Sequence, residues 1–206
     1  MSQNNSALIE SKIDEAVVFL SKNDEVIHSI IRKHGRCHIR LKENYFESLV
    51  HSIVSQQLST RAARAILNRL KQLTNNHLSP DVVESIDVSE FRKIGMSGPK
   101  ALYIRNLSAH FRNNSFDAFT SMSNDEVIET LTAIKGIGLW TAQMFLIFSL
   151  GRLNVLPVSD VGFKRSIMIN YNLEEKPSEE QITRLAEKWG AYPAIAAWYL
   201  WKAIDD

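Results

Sequence analysis

Residues 131–167 read LTAIKGIGLWTAQMFLIFSLGRLNVLPVSDVGFKRSI, with Gly136 and Gly138 set where one apolar-periodic stretch ends and the next begins. Upstream, Ser123 and Glu126 have the spacing of a capping box, and Val127, Ile128, Leu131 and Ile134 recur at helical intervals behind it. That helix is predicted to stop at Gly136. Two glycines so close together suit a tight hairpin whose backbone takes conformations closed to residues with a side chain. A second helix restarts at once, with Leu139, Ala142, Met144, Phe145, Ile147 and Phe148 dense enough in apolar character for burial. Its first amides have no partner within the helix, and the positive end of the helix dipole favours an anion there, a phosphate oxygen included.

Working outward, the same helical spacing runs from Leu8 to Leu20, from Tyr45 to Leu58 through Phe46, Leu49, Val50, Ile53 and Val54, and from Arg61 to Leu73. Ser79 before Pro80 reads as an N-cap with proline in the first turn. Ser178 with Gln181 opens another helix by the capping-box rule, and Pro193 begins the last, which carries Ala197, Trp198, Leu200 and Trp201. No stretch alternates with period two, so the expected fold class is all-α. No internal repeat, low-complexity tract or linker marks a boundary.

Composition narrows the function classes without choosing among them. A chain of 206 residues holds one domain or two small interleaved ones. No apolar run reaches the about eighteen residues a membrane span requires, and the start, MSQNNSALIESKIDEAVVF, lacks a basic segment followed by an apolar block, so the expectation is an intracellular protein with no membrane partner. The single cysteine, Cys37, excludes an intrachain disulfide and a four-cysteine iron-sulfur cluster. Six histidines are scattered without zinc-ligand spacing. The net charge of +1 is far from the strongly basic balance of many nucleic-acid binders, so any phosphate-facing field has to come from a local patch. Candidates are Arg61, Arg64, Lys100, Lys135, Lys164 and Arg165, each of which taken singly suits a solvated surface better than a phosphate contact.

On its own, Gly-x-Gly fits an ordinary corner of an all-helical protein. The longer string, Ile134-Lys135-Gly136-Ile137-Gly138 running into Thr141-Ala142 and followed one helix length later by Pro157 and Asp160, resembles the helix-hairpin-helix plus Gly/Pro/Asp motif of the base-excision DNA glycosylase superfamily. Within that superfamily the chain is most similar to the alkyladenine branch, the DNA-3-methyladenine glycosylase II type. The resemblance spans roughly residues 40 to 204. It implies two helical lobes with a cleft between them: residues 1–42 with 154–206 as a discontinuous lobe, and 43–153 as a helical barrel carrying the hairpin at about 123–150.

The resemblance also implies an activity and assigns roles. The expected reaction is excision of alkylated bases of the 3-methyladenine and 7-methylguanine type from double-stranded DNA, by a monomer that needs no cofactor. Asp160 is the expected catalytic carboxylate, stabilising charge at the sugar carbon and orienting water; as a residue it also suits an N-cap, and the two roles are compatible. Gln57 matches the position from which relatives insert a side chain into the duplex, with Leu58 beside it. Many relatives use an apolar wedge there, so glutamine is a departure. Lys135, Gly136, Gly138 and Thr141 are the expected DNA contacts of the hairpin. Relatives that cut the strand carry a lysine just before that threonine; here the position is Trp140, which implies water as nucleophile and an abasic product left intact. Trp140 and Trp201 are expected to line the base pocket, where an aromatic face favours a cationic base, although Trp198 and Trp201 also suit core packing. The backbone carbonyls of Thr132, Ile134 and Ile137 match those that hold Na+ or K+ in relatives. Two other readings stay open: a glycosylase for deaminated or mismatched bases, and a non-catalytic helix-hairpin-helix DNA-binding protein.

Overall fold

The computed structural model describes residues 2–204, with their side chains except for those of residues 2–8, Thr60 and Asn113. The side chain of Leu8, which begins the first expected apolar spacing, lies outside the described residues. The chain is all-α: α1 (Ser2–Asn23), α2 (Glu25–His34), α3 (Tyr45–Ser55), α4 (Thr60–Leu73), α5 (Pro80–Ser85), α6 (Val88–Lys93), α7 (Gly98–Asn113), α8 (Asn124–Thr132), α9 (Leu139–Phe148), α10 (Val161–Asn170), α11 (Glu179–Ala186) and α12 (Pro193–Lys202), with short 3-10 turns at Phe116–Thr120 and Glu187–Trp189. Among the described residues there is no strand, and no helix is long and apolar enough to cross a membrane.

The helix starts follow from local chemistry. Ser123 and Glu126 exchange both capping-box bonds at the head of α8, and Ser178 and Gln181 do the same at α11. Ser79 caps α5 with Pro80 in its first turn, and Pro193 opens α12. The ends depart from expectation. α8 stops at Thr132, a turn before Gly136, because Ile134 N–H reaches back only three residues to Leu131 C=O (3.1 Å) and tightens the chain out of α geometry. α3 stops at Ser55 rather than Leu58, because Gln56 is extended (φ −51°, ψ 130°) and Gln57 is left-handed (φ +55°).

The helices form two compact units, Met1–Leu41 with Leu146–Asp206, and Lys42–Phe145, the division falling inside α9. In the discontinuous unit, Ile13, Leu20, Ile27, Phe163, Ile167, Trp189 and Tyr199 build the core. Asp24 stands within it at 4% exposure. Its Oδ1 accepts the N–H groups of Val26 (3.0 Å) and Ile27 (3.1 Å) at the head of α2, and its Oδ2 accepts the Tyr171 hydroxyl (2.6 Å) and the Trp189 indole N–H (3.1 Å). Four donors offset the desolvation of a carboxylate that burial alone would make costly. Cys37 is buried in the same unit, and desolvation pushes its thiol up to about 12.

The contiguous unit packs around aromatic rings. Phe111 stacks on Phe116 at 3.6 Å, and Phe145 meets Tyr45 and Phe119 edge-on at 5.4 Å each. It also contains a repeat that the sequence does not advertise. Between α6 and α7, left-handed Gly95 (φ +94°) is followed by buried Met96, and α7 begins its bonding with Ala101 N–H to Ser97 C=O at 3.1 Å. Between α8 and α9, left-handed Gly136 (φ +106°) is followed by buried Ile137, and α9 begins with Ala142 N–H to Gly138 C=O at 3.1 Å. The two corners share their build but little of their sequence.

Candidate functional site

The α8–α9 hairpin owes its shape to one glycine, not two. At Gly136 a Cβ would lie 2.2 Å from Cγ of Tyr103, and the left-handed φ would strain any side chain in addition. Gly138 has an ordinary φ, and a Cβ there would meet nothing within 4 Å. The expectation that both glycines serve the turn is therefore corrected: Gly136 makes the bend, and Gly138 leaves open space beside the head of α9. Lys135 is exposed at the tip. Thr141 is 2% exposed, so it offers the corner its backbone and not its hydroxyl. Trp140, in the first turn of α9, is 40% exposed.

The α3–α4 corner lies against this hairpin within the same unit. Gln56 Nε2 donates to Gly136 C=O at 2.9 Å across 80 residues of sequence. Lys100, in the first turn of α7, donates its ammonium to Val54 C=O (2.8 Å) and Gln56 C=O (2.5 Å). Desolvation lowers the ammonium's pKa from its ordinary value. Lys100 thus leaves the set of candidate phosphate ligands, since its hydrogens serve the C-terminal carbonyls of α3. The corner thereby presents Gln57, exposed, and Leu58, 39% exposed.

Asp160 belongs to the discontinuous unit. The chain turns behind buried Pro157, with Asp160 N–H on Pro157 C=O at 3.0 Å, and Asp160 then caps α10. Its Oδ1 accepts Phe163 N–H (2.5 Å) and the Trp201 indole N–H (2.9 Å). The sequence is tight around that oxygen: a Cβ at Gly162 would sit 3.3 Å from it. Trp201 packs near two further rings, Phe148 at 6.0 Å and Phe163 at 6.3 Å. Asp160 stays only partly buried. Nearby, Lys164 spends its charge on Glu179 at 3.7 Å, while Arg165 is exposed.

Two of the predicted site residues, Asp160 and Trp201, are thus brought into direct contact, and Gln57 and Leu58 are joined to the hairpin through Gln56. The residues missed by sequence reading are Gln56, Tyr103, Gly162 and Phe163. Gln56 and Tyr103 act on partners far along the chain, which no local pattern reveals, whereas Gly162 and Phe163 belong to the cap turn already expected at Asp160.

Among the described residues no group of three or more His, Cys, Asp or Glu side chains is arranged to hold a metal ion. Backbone oxygens at the hairpin are the remaining donors. Ile134 C=O already accepts Ile137 N–H at 3.0 Å, and Gly136 C=O is taken by Gln56. A carbonyl oxygen carries two lone pairs, so Ile134 retains capacity to accept beyond its bond from Ile137.

A hairpin bent on a left-handed glycine, followed by a proline turn that delivers a helix-capping aspartate, is the build of a helix-hairpin-helix repair protein. The model of the HhH-GPD superfamily of base excision DNA repair proteins matches residues 50–191, and the chain belongs to that family. It is similar to DNA-3-methyladenine glycosylase 1 of Schizosaccharomyces pombe, with 32% identity over 203 residues, 94% of this chain and 89% of that protein. Among solved structures it resembles a DNA-3-methyladenine glycosidase from Bacillus halodurans (39% identity, TM-score 0.81, 91% of this chain and 88% of that one). It also resembles the S. pombe 3-methyladenine DNA glycosylase Mag1 in complex with abasic DNA (31% identity, TM-score 0.85, 93% and 97%).

Proposed function

We propose that this chain is a monofunctional DNA glycosylase of base excision repair that flips alkylated bases of the 3-methyladenine and 7-methylguanine type out of duplex DNA and hydrolyses the N-glycosidic bond, leaving an abasic site. The observation that carries the reading is the fixed carboxylate of Asp160, held through Oδ1 by a backbone and an indole N–H. As the bond from C1′ to the base nitrogen breaks, its electron pair leaves with the base and positive charge grows on the sugar. A preorganised carboxylate stabilises that charge, and water adds to C1′ as it passes a proton to the carboxylate. The pair of donors on Oδ1 keeps the group from reorienting as the charge develops.

The remaining roles follow from chemistry at each position. The amides heading α9 and the Lys135 ammonium suit a phosphate of the lesion strand. Gln57 and Leu58, both exposed at the α3–α4 corner, are the side chains suited to fill the space left by the everted nucleotide. A base methylated on a ring nitrogen is cationic, which makes it a better leaving group and a better partner for the faces of Trp140 and Trp201, worth about 0.5–2 kcal/mol each. With tryptophan at 140 there is no amine to attack the sugar, so no Schiff base forms and the strand stays uncut. A monovalent cation on the carbonyls of Thr132, Ile134 and Ile137 would add positive charge to the phosphate-facing corner. No dissociable cofactor takes part, and the enzyme works as a monomer inside the cell.

The test is to incubate the protein with methylated duplex DNA and identify released bases by chromatography, for the wild type and Asp160→Asn. Release of methylated purines by the wild type and its loss in the variant is the expected result. Undiminished release by Asp160→Asn overturns the catalytic assignment, and a covalent adduct trapped by borohydride overturns the water mechanism. Duplex binding without release of any base marks a non-catalytic binder, and release confined to uracil- or hypoxanthine-containing DNA moves the substrate to deaminated bases.

A further inference from the structure

We propose that Gln56 and Lys100 are positioning residues that hold the Gln57–Leu58 corner in its protruding form and couple it to the phosphate-facing hairpin. The inference rests on the functional reading above. Gln57 adopts a left-handed backbone, φ +55°, which a residue with a Cβ keeps only where its surroundings over-determine it. Those surroundings are unusual in being borrowed. The Lys100 ammonium gathers the carbonyls of Val54 and Gln56, on either side of the point where α3 unwinds. The Gln56 side chain then reaches Gly136 C=O, inside the hairpin bend. One turn further along α7, the Tyr103 ring fills the space that a side chain at residue 136 would need. The first turns of α7 therefore support both corners at once, Lys100 under the one and Tyr103 under the other.

The mechanical consequence is a fixed offset. Once the hairpin seats on a phosphate, the wedge stands at a set distance along the duplex and needs no separate ordering step, so entry into the stack follows from backbone binding. Neither Gln56 nor Lys100 touches DNA in this scheme; both act through Gln57 and Leu58.

The experiment uses the full chain and a duplex carrying 2-aminopurine beside a tetrahydrofuran abasic analogue. The wild type is expected to raise 2-aminopurine fluorescence on binding, as the wedge unstacks the neighbouring base. Lys100→Met and Gln56→Met are expected to lose most of that rise and to slow single-turnover release from methylated duplex by about tenfold or more. Affinity measured by anisotropy should stay within about threefold, because the hairpin contact survives. Lys100→Arg, which can still donate to both carbonyls, is expected to restore at least half of the fluorescence rise. If Lys100→Met does not fold, Gln56→Met carries the test, since its side chain is only partly buried. A full rise in both methionine variants, no rise in the wild type, or equal losses of affinity and release overturns the proposal. Absence of base release by the wild type overturns the functional reading instead, and the fluorescence then decides the role of Gln56 and Lys100 by itself.

Discussion

Two aspartates in the discontinuous unit each cap the helix that follows them, and each takes an indole N–H as a further donor, Asp24 from Trp189 at 3.1 Å and Asp160 from Trp201 at 2.9 Å. Phe163 stands between the pairs, its ring 6.0 Å from Trp189 and 6.3 Å from Trp201. The difference lies in enclosure. Asp24 holds four donors on its two oxygens and is sealed in the core, whereas Asp160, which takes the cap amide and the indole among its partners, remains partly accessible. One local device thus has two uses. Where the carboxylate is closed off, its charge is committed to holding helices together, and the one left partly open is the one we propose to act on a substrate.

The sharpest way to break this comparison is to remove each charge while keeping the cap, since asparagine caps a helix about as well as aspartate. Asp160→Asn is expected to lose roughly 10²–10³ in single-turnover base release with little change in thermal midpoint. Asp24→Asn should do the reverse: it turns an amide N–H toward the Tyr171 hydroxyl and the Trp189 indole, lowering stability in urea by about 2–3 kcal/mol while activity per folded molecule is kept. If both variants fail in the same assay, the distinction between a sealed and an accessible acid is void.

Exchanging the indoles sharpens it further. Trp201→Phe keeps a ring and removes the N–H from Oδ1, and the expected cost is about tenfold in release rate, the size of one hydrogen bond to a charged group. Trp189→Phe is expected to shift the urea midpoint and leave the rate untouched. The smallest effect is on Tyr171→Phe, at about 1 kcal/mol of stability. Burial, followed by the hydrogen bond to Asp24, raises the Tyr171 hydroxyl above its ordinary value near 10. A raised folded pKa means that the folded state keeps the proton better, so this stability is complete below about pH 10 and declines as pH rises beyond it. Tyr171→Phe should flatten the alkaline limb of a stability profile, and an unchanged limb would remove Tyr171 from the account.

How far the sequence disclosed all this depends on the reach of each interaction. Caps were legible because Ser123 with Glu126, and Ser178 with Gln181, act over three residues. The Gly136 bend and the proline turn before Asp160 were legible as a motif for the same reason. The donors that give those motifs their properties were not. Trp201 lies 41 residues from Asp160, Gln56 lies 80 from Gly136, and Trp189 lies 165 from Asp24. Lys100 misled in an instructive way, because a lysine in a glycine-proline turn has the look of a surface cation, and only tertiary packing turns its ammonium onto the carbonyls of α3. The α6–α7 corner escaped notice because Gly95 and Met96 carry the backbone of the hairpin without its lettering.

The split of the discontinuous unit across the chain has a kinetic consequence. Asp24 cannot find Tyr171 or Trp189 until segments 147 and 165 residues apart have met, while Lys42–Phe145 closes over itself through shorter spans. Long loops slow the search, and a prefolded insert shortens the effective loop. During refolding, amides of the middle segment should gain protection against hydrogen exchange first, and the acid at residue 160 should acquire its indole partner in the last phase, so that competence for catalysis arrives after most of the helix content has already formed.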